Sequence, residues 1–237
     1  MTKKIIFSSG GTGGHIFPAI NLMKHFSEKG YDVVLVTDSK GSKLIKNFTE
    51  FKSYIISADT PINKNLIKKF FSLFIIFHSI IKSFFILKKE KPNLVIGFGG
   101  YVSFPISFTS RFFNCPLIAY EPNLILGRVN KYLLPSIKKL IVAIAEPKNI
   151  SSKYKNIVHK VGPILSKDFI NYREVKKENN KVFSILILGG SQGAENFGKI
   201  IPPVIKMIKD KGVDIEINQQ CLNYQKNIYQ IFIIKIK

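Results

Sequence analysis

The sequence predicts an α/β fold in which a parallel sheet carries helices on both faces. Three observations carry this expectation. Short apolar runs recur along the chain with helical stretches between them. Glycine clusters stand directly after several of these runs, and the order strand, glycine turn, helix returns near Phe183 as it begins near Lys4. Short apolar runs bounded by turn residues read as strands buried on both faces, and their alternation with helices implies a parallel, doubly wound sheet.

Lys4-Ile5-Ile6-Phe7-Ser8 is the first strand, and a helix is expected from Pro18 to Lys29, stopped by Gly30. Strands follow at Tyr31–Thr37, Tyr54–Ile56, Asn93–Gly97, Pro116–Tyr120, Lys139–Ala143 and Ile157–Val158. A polar stretch from Asn171 to Lys181 reads as linker. A second unit opens with the strand Phe183–Leu188, the turn Gly189–Ala194, a helix towards Lys209 and a strand at Val213–Ile217. The domain expectation is therefore 1–165, a linker at 166–180, an incomplete second α/β unit at 181–220, and an atypical tail at 221–237. That tail has no acidic residue, and its uncharged run at Ile228–Ile234 is β-prone and aggregation-prone.

Glycines after a strand let the backbone turn tightly against an anion, and the following helix presents free N–H groups. Gly10-Gly11-Thr12-Gly13-Gly14 and Gly189-Gly190-Ser191-Gln192-Gly193 both have this form. Two such loops, each opening a unit, point to a cleft for phosphorylated groups. A third cluster, Gly97–Ser103, and the segment Glu121-Pro122-Asn123 also follow strands. Ligands of open α/β sheets bind at the carboxyl ends of strands, so His15, Ser103, Glu121 and Asn123 are expected on one rim. A nicotinamide-binding oxidoreductase is an alternative, with Asp38 placed for a ribose. It lacks support from the first loop, where Ile16 stands at the third glycine of the dinucleotide fingerprint.

The net charge of +21 accompanies a general abundance of Lys, Ile, Asn and Phe. No nucleic-acid-binding motif accompanies it, so an anionic membrane surface or a phosphorylated substrate is the expected partner, and no nucleic acid. Cys115 and Cys221 form no CxxC pair, which supports neither a disulfide framework nor a zinc site. The N-terminus lacks the pattern of a signal peptide, and a cytoplasmic location is expected.

Gly10–Ala19, Gly97–Ser103, Glu121-Pro-Asn123 through Gly127 to Asn130, and Gly189–Ala194 together resemble, in order, the motif series of the MurG family within glycosyltransferase family 28. The resemblance implies a GT-B architecture with an acceptor- and membrane-binding N-terminal domain and a donor-binding second domain. It implies inverting transfer of GlcNAc from UDP-GlcNAc to undecaprenyl-pyrophosphoryl-MurNAc-pentapeptide (lipid I), giving lipid II of peptidoglycan. It implies no metal and no cofactor beyond the donor substrate, and a peripheral location at the cytoplasmic face of the inner membrane. The candidate catalytic residues are His15, as general base or acceptor-positioning group, and Glu121. Thr12, Gly13, Gly14, Asn123, Ser166, Ser191, Gln192 and Gly193 are carried over as contacts to the sugar nucleotide or a diphosphate.

The chain departs from the family pattern at Pro122, at Phe104, and at Ser166 or Lys167, where the family has an arginine. The resemblance fades after Gln220, before the family's uracil- and GlcNAc-binding segments. The sequence thus reads as truncated or frameshifted, with an inactive remnant retaining only acceptor and membrane binding as the alternative. Finally, Asn65–Leu87 is apolar between flanking lysines. Its uncharged core, Phe70–Ile81, falls short of the roughly 18 residues needed to span. It is expected to be a helix resting on an anionic leaflet or, failing that, a buried outer-layer helix, with His78 in a core or interface.

Overall fold

The computed structural model describes residues 2–45, 51–60, 65–171, 183–189 and 195–220. It divides into two compact units, at Tyr172 and Arg173. In the first, the strands are β1 (Lys4–Ser8), β2 (Asp32–Thr37), β3 (Lys52–Ile55), β4 (Leu94–Gly97), β5 (Leu117–Glu121), β6 (Ile137–Val142) and β7 (Val158–Lys160). The helices between them are α1 (Gly13–Glu28), α2 (Ser39–Leu44), α3 (Leu66–Glu90), α4 (Ser103–Ser110), α5 (Arg128–Leu133) and α6 (Lys167–Ile170). All seven strands are parallel, in the order β3-β2-β1-β4-β5-β6-β7.

Successive side chains of a strand face opposite ways. Ile5 and Phe7 therefore join Ile16, Ala19, Ile20 and Met23 of α1 on one face, while Ile6 joins Val34, Val36, Val95 and Ile106 on the other. Both faces of the sheet being apolar is what forces helices onto both. The strand order reverses between β1 and β4, and this switch point opens a crevice at the carboxyl ends of those strands.

The helix expected to start at Pro18 begins five residues earlier, at Gly13, with Pro18 inside it. Proline lacks an N–H and crowds the carbonyl four residues back. Here that residue is Gly14, in the first turn, and burial of Ile16 and Ala19 holds the turn in place. The stretch expected as linker starts with one helical turn, α6, capped by the Ser166 hydroxyl accepting from the Phe169 N–H at 3.2 Å. No helix was expected over 103–110 or 128–133; both are short and rich in polar or β-branched residues, and burial against their neighbours decides them.

At the opposite end of the sheet, the nearly buried Glu90 at the end of α3 ties three strands together. It accepts from Lys4 at 2.7 Å and Lys52 at 2.6 Å, and from the Tyr54 hydroxyl; Lys4 also pairs with Asp32 at 3.0 Å. Burial acts to raise the carboxyl pKa, but the bonds from Lys4, Lys52 and Tyr54 outweigh it and hold it at about 2. A depressed acid stabilises the fold above its unfolded value, and the contribution vanishes as pH falls towards the folded value. The span from 4.5 to about 2 is worth about 3 kcal/mol. Glu90→Gln is therefore expected to lose about 2–3 kcal/mol in urea unfolding at pH 7 and progressively less below pH about 4. A variant as stable as the parent at pH 7 would contradict this.

In the second unit, β8 (Phe183–Ile187) pairs in parallel with β9 (Ile215–Gln219), and α7 (Glu195–Asp210) connects them. Ile205 and Ile217 are its buried core, with Ile185, Ile187, Ile201 and Ile215 packed around them. This is the β-α-β start that the repeated motif predicts.

Candidate functional site

The site lies at the switch point, where three loops meet. Gly10–Thr12 follows β1, Gly99–Val102 follows β4, and Glu121–Gly127 runs from the end of β5 into α5. Glycine is required where these loops touch. A Cβ on Gly11 would stand 2.5 Å from the Lys40 Cβ and 2.6 Å from Asp38 Oδ1. Gly99 and Gly100 adopt φ of +80° and +74°, and a Cβ on Gly100 would also stand 3.5 Å from the Gly10 Cα. Ser103 is buried, and its hydroxyl donates to the Gly100 carbonyl at 2.9 Å. Ser103, expected on the rim, thus holds the loop from behind.

Glu121 is 1% exposed. One oxygen accepts from the Asn123 N–H at 3.2 Å and its Nδ2 at 3.0 Å; the other accepts from the Gly127 N–H at 2.7 Å and Asn130 Nδ2 at 3.1 Å. Four donors fill the acceptor sites of this carboxylate. Its hydrogen bonds are those of a loop organiser, while it also lines the His15 cavity, where the sequence places it as a catalytic candidate.

His15, in the first turn of α1, packs edge-on against the Gly99–Gly100 backbone: a Cβ on Gly99 would lie 3.4 Å from its Cε1. Its Nδ1 is buried with no hydrogen-bond partner. Burial lowers the imidazole pKa below 6.5, against the opposing pull of the Glu121 charge and the nearby Phe98 carbonyl. The ring is thereby kept neutral near pH 7.

Two cavities share His15, Gly100 and Tyr101. One, of about 240 Å³, is walled by Glu121, Asn123, Arg128 and Asn130. The other, of about 390 Å³, is walled by Gly10–Thr12, Asp38, Lys40 and Ala58–Thr60. The structure thus brings His15, Glu121, Asn123 and Thr12 together. Thr12 occupies the N-cap position of α1 with its hydroxyl uncommitted to capping, and Gly13 and Gly14 open that helix. Ser166 lies apart, in a cavity of about 400 Å³ beside Lys24 and Glu28, where Lys167 pairs with Glu28. Ser191, Gln192 and Gly193 lie outside the described residues. Asp38, offered above for a ribose, accepts from the Gly41 N–H at 2.7 Å and caps α2. Among the described residues no group of three or more His, Cys, Asp or Glu is placed to hold a metal ion. The sequence reading missed Tyr101 and Arg128 as site residues, although both stand within motifs it singled out.

Beside the crevice, α3 is amphipathic in reverse. Its inward face carries Ser72, Ser79 and Ser83, all fully buried, followed by Ile86, Leu87 and Glu90 in the last turns. The Ser72 hydroxyl donates to Asp59 at 2.8 Å and that of Ser79 to the Ser57 carbonyl at 2.6 Å. The outward face carries Phe70, Phe74 and Phe77, between 61% and 71% exposed. His78, expected in a core or interface, is exposed. By length and composition this 25-residue helix could cross a membrane, longer than its uncharged core implied. Its seryl face is docked on the protein while the opposite face is exposed, so the buried outer-layer alternative describes one side of this helix only.

Residues 5–142 match the glycosyltransferase family 28 N-terminal domain. The chain belongs to glycosyltransferase family 28. Among curated relatives, the UDP-N-acetylglucosamine--N-acetylmuramyl-(pentapeptide) pyrophosphoryl-undecaprenol N-acetylglucosamine transferase of Pelagibacter ubique is 35% identical, over 97% of this chain and 64% of its own length. The enzyme of the same name from Rickettsia canadensis is 33% identical, over 98% of this chain and 65% of its own length. The chain therefore spans just under two thirds of these relatives. The crystal structure of Acinetobacter baumannii MurG superposes with a TM-score of 0.73 at 26% identity, covering 99% of this chain and 67% of that one. Family 28 membership and this likeness bear out the GT-B fold expectation and displace the oxidoreductase alternative. The matched region contains the whole His15–Glu121 site.

Proposed function

We propose that this chain binds lipid I, the pyrophosphoryl-polyprenol-linked N-acetylmuramyl-pentapeptide, and transfers GlcNAc to it from UDP-GlcNAc, giving lipid II. The observation that carries this reading is the position of His15, half-buried at the switch point in a cavity whose carboxylate is already saturated, where burial disfavours its charged form. A neutral imidazole can take a proton, and the cavity beside it admits a sugar hydroxyl. In the reaction, His15 accepts the proton of the acceptor 4-hydroxyl while that oxygen bonds to the anomeric carbon of GlcNAc. The bond from that carbon to UDP breaks, and UDP leaves with the electron pair from the opposite face, inverting the centre. Thr12, Gly13 and Gly14 offer a hydroxyl and helix N-terminal N–H groups to a diphosphate, and Asn123 a side-chain amide at the rim. Ser191, Gln192 and Gly193 serve the donor, and Ser166 acts through α6, which it caps. No metal or cofactor enters this scheme.

We propose that α3 rests its outward aromatic face, flanked by Lys68, Lys69, Lys88 and Lys89, on an anionic leaflet; the exposed phenylalanines and flanking lysines support this orientation, which would suit a lipid-linked acceptor. Peripheral attachment at the cytoplasmic face of the inner membrane follows, and nucleic acid has no part in it. Phe74→Ser with Phe77→Ser is expected to weaken binding to anionic vesicles about a hundredfold in a sedimentation assay. Unchanged sedimentation of the folded double variant would contradict this orientation.

The test of function is transfer of labelled GlcNAc from UDP-GlcNAc to a lipid I analogue by the 237-residue chain. Labelled lipid II analogue is expected. A folded chain that binds the acceptor and transfers nothing would establish the alternative, an acceptor- and membrane-binding protein.

A further inference from the structure

Among the described residues that wall the smaller His15 cavity, Arg128 is the one lysine or arginine. It is exposed at the mouth and stands at the first position of α5, directly after Gly127, whose N–H is fixed by Glu121. The backbone beneath Arg128 is therefore anchored while its side chain is solvent-facing. Tyr101 lines the same cavity; its phenol pKa is lowered first by a hydrogen bond with Thr60 and, against the opposing effect of burial, by the Arg128 guanidinium beside it. The other charged group of that wall, Glu121, has its oxygens occupied by four N–H donors, so it is already engaged within the loop. Arg128 is thus the cation available to an anionic ligand at the mouth, beside His15, Tyr101, the amides of Asn123 and Asn130, and glycine backbone.

We infer that Arg128, braced beside Tyr101, is a specificity-determining residue that grips an oxyanion of the acceptor, a phosphoryl or carboxylate group, while the acceptor hydroxyl meets His15. The inference rests on the acceptor reading above. A planar guanidinium matches both oxyanions with two parallel hydrogen bonds, which lysine cannot reproduce. The acceptor carries both kinds of group, the pyrophosphoryl link and the peptide carboxylates.

The test uses the full chain and a fluorescent, short-chain pyrophosphoryl-polyprenol N-acetylmuramyl-pentapeptide, because the protein has no tryptophan. Arg128→Gln is expected to weaken binding about tenfold to a hundredfold, and Arg128→Lys about threefold to tenfold, with circular-dichroism melting unchanged. Two further probes identify the source. If Arg128 holds phosphate, parent and Arg128→Gln bind equally a probe whose diphosphate is replaced by a neutral ether. If it holds a carboxylate, they bind equally a probe with amidated peptide carboxylates. Equal binding of the intact probe by parent and Arg128→Gln overturns the proposal alone, as does a loss that persists undiminished on both modified probes. A parent chain that does not bind the intact probe overturns the acceptor reading and this proposal together.

Discussion

Replacing His15 with Gln is expected to cut GlcNAc transfer about a hundredfold to ten-thousandfold, with acceptor affinity changed far less. Glutamine keeps a polar side chain of similar reach in the first turn of α1, so the glycine loops retain their packing. It cannot take a proton at neutral pH. A single-turnover assay at saturating acceptor separates the two effects, because a group that acts only as the reaction proceeds lowers kcat and leaves binding intact. Transfer at the parent rate by His15→Gln would remove the imidazole from the mechanism.

The second large effect is expected at Glu121. Truncation to Ala leaves four converging N–H donors without their acceptor, two of them on the side chains of Asn123 and Asn130. Unsatisfied buried donors each cost about 1–3 kcal/mol, and loop relaxation recovers part of that, so a loss of about 3 kcal/mol in unfolding is expected. Glu121→Gln is nearly isosteric yet turns one oxygen into a donor facing other donors, and it is expected to lose about 1–2 kcal/mol. Both variants should lose transfer as the Asn123–Arg128 rim shifts. Glu121→Gln melting at the parent temperature while inactive would contradict the organising role and restore a direct catalytic one.

Much of this was legible in the sequence because parallel strands buried on both faces leave continuous apolar runs. Lys4–Ser8 and the glycine turn after it could be read without a structure, and the motif order implied the family. What could not be read was direction. Ser103 and Glu121 are polar residues at strand ends, like His15 and Asn123, and only the fold shows that Ser103 and Glu121 turn into the scaffold and that Asn123 donates to Glu121. The apolar run of α3 gave no sign that its serines face inward, since periodicity marks which residues share a face and not which face is buried. Pro18 misplaced the start of α1, because a proline whose ring faces the carbonyl of a first-turn glycine, Gly14, is tolerated inside the helix. Arg128 could have been found as the single cation between Glu121 and Asn130.

The central claim is that a neutral imidazole at the switch point activates the acceptor. Burial favours the uncharged ring, so this group stabilises the fold above pH about 6.5 and costs stability as pH falls through its lowered folded pKa. The same titration governs catalysis. The direct measurement is the pH dependence of GlcNAc transfer by the parent chain and by His15→Gln. The parent rate is predicted to fall along an acid limb centred below pH 6.5, a limb absent from the residual activity of His15→Gln. An acid limb of the same position in both proteins would contradict the account.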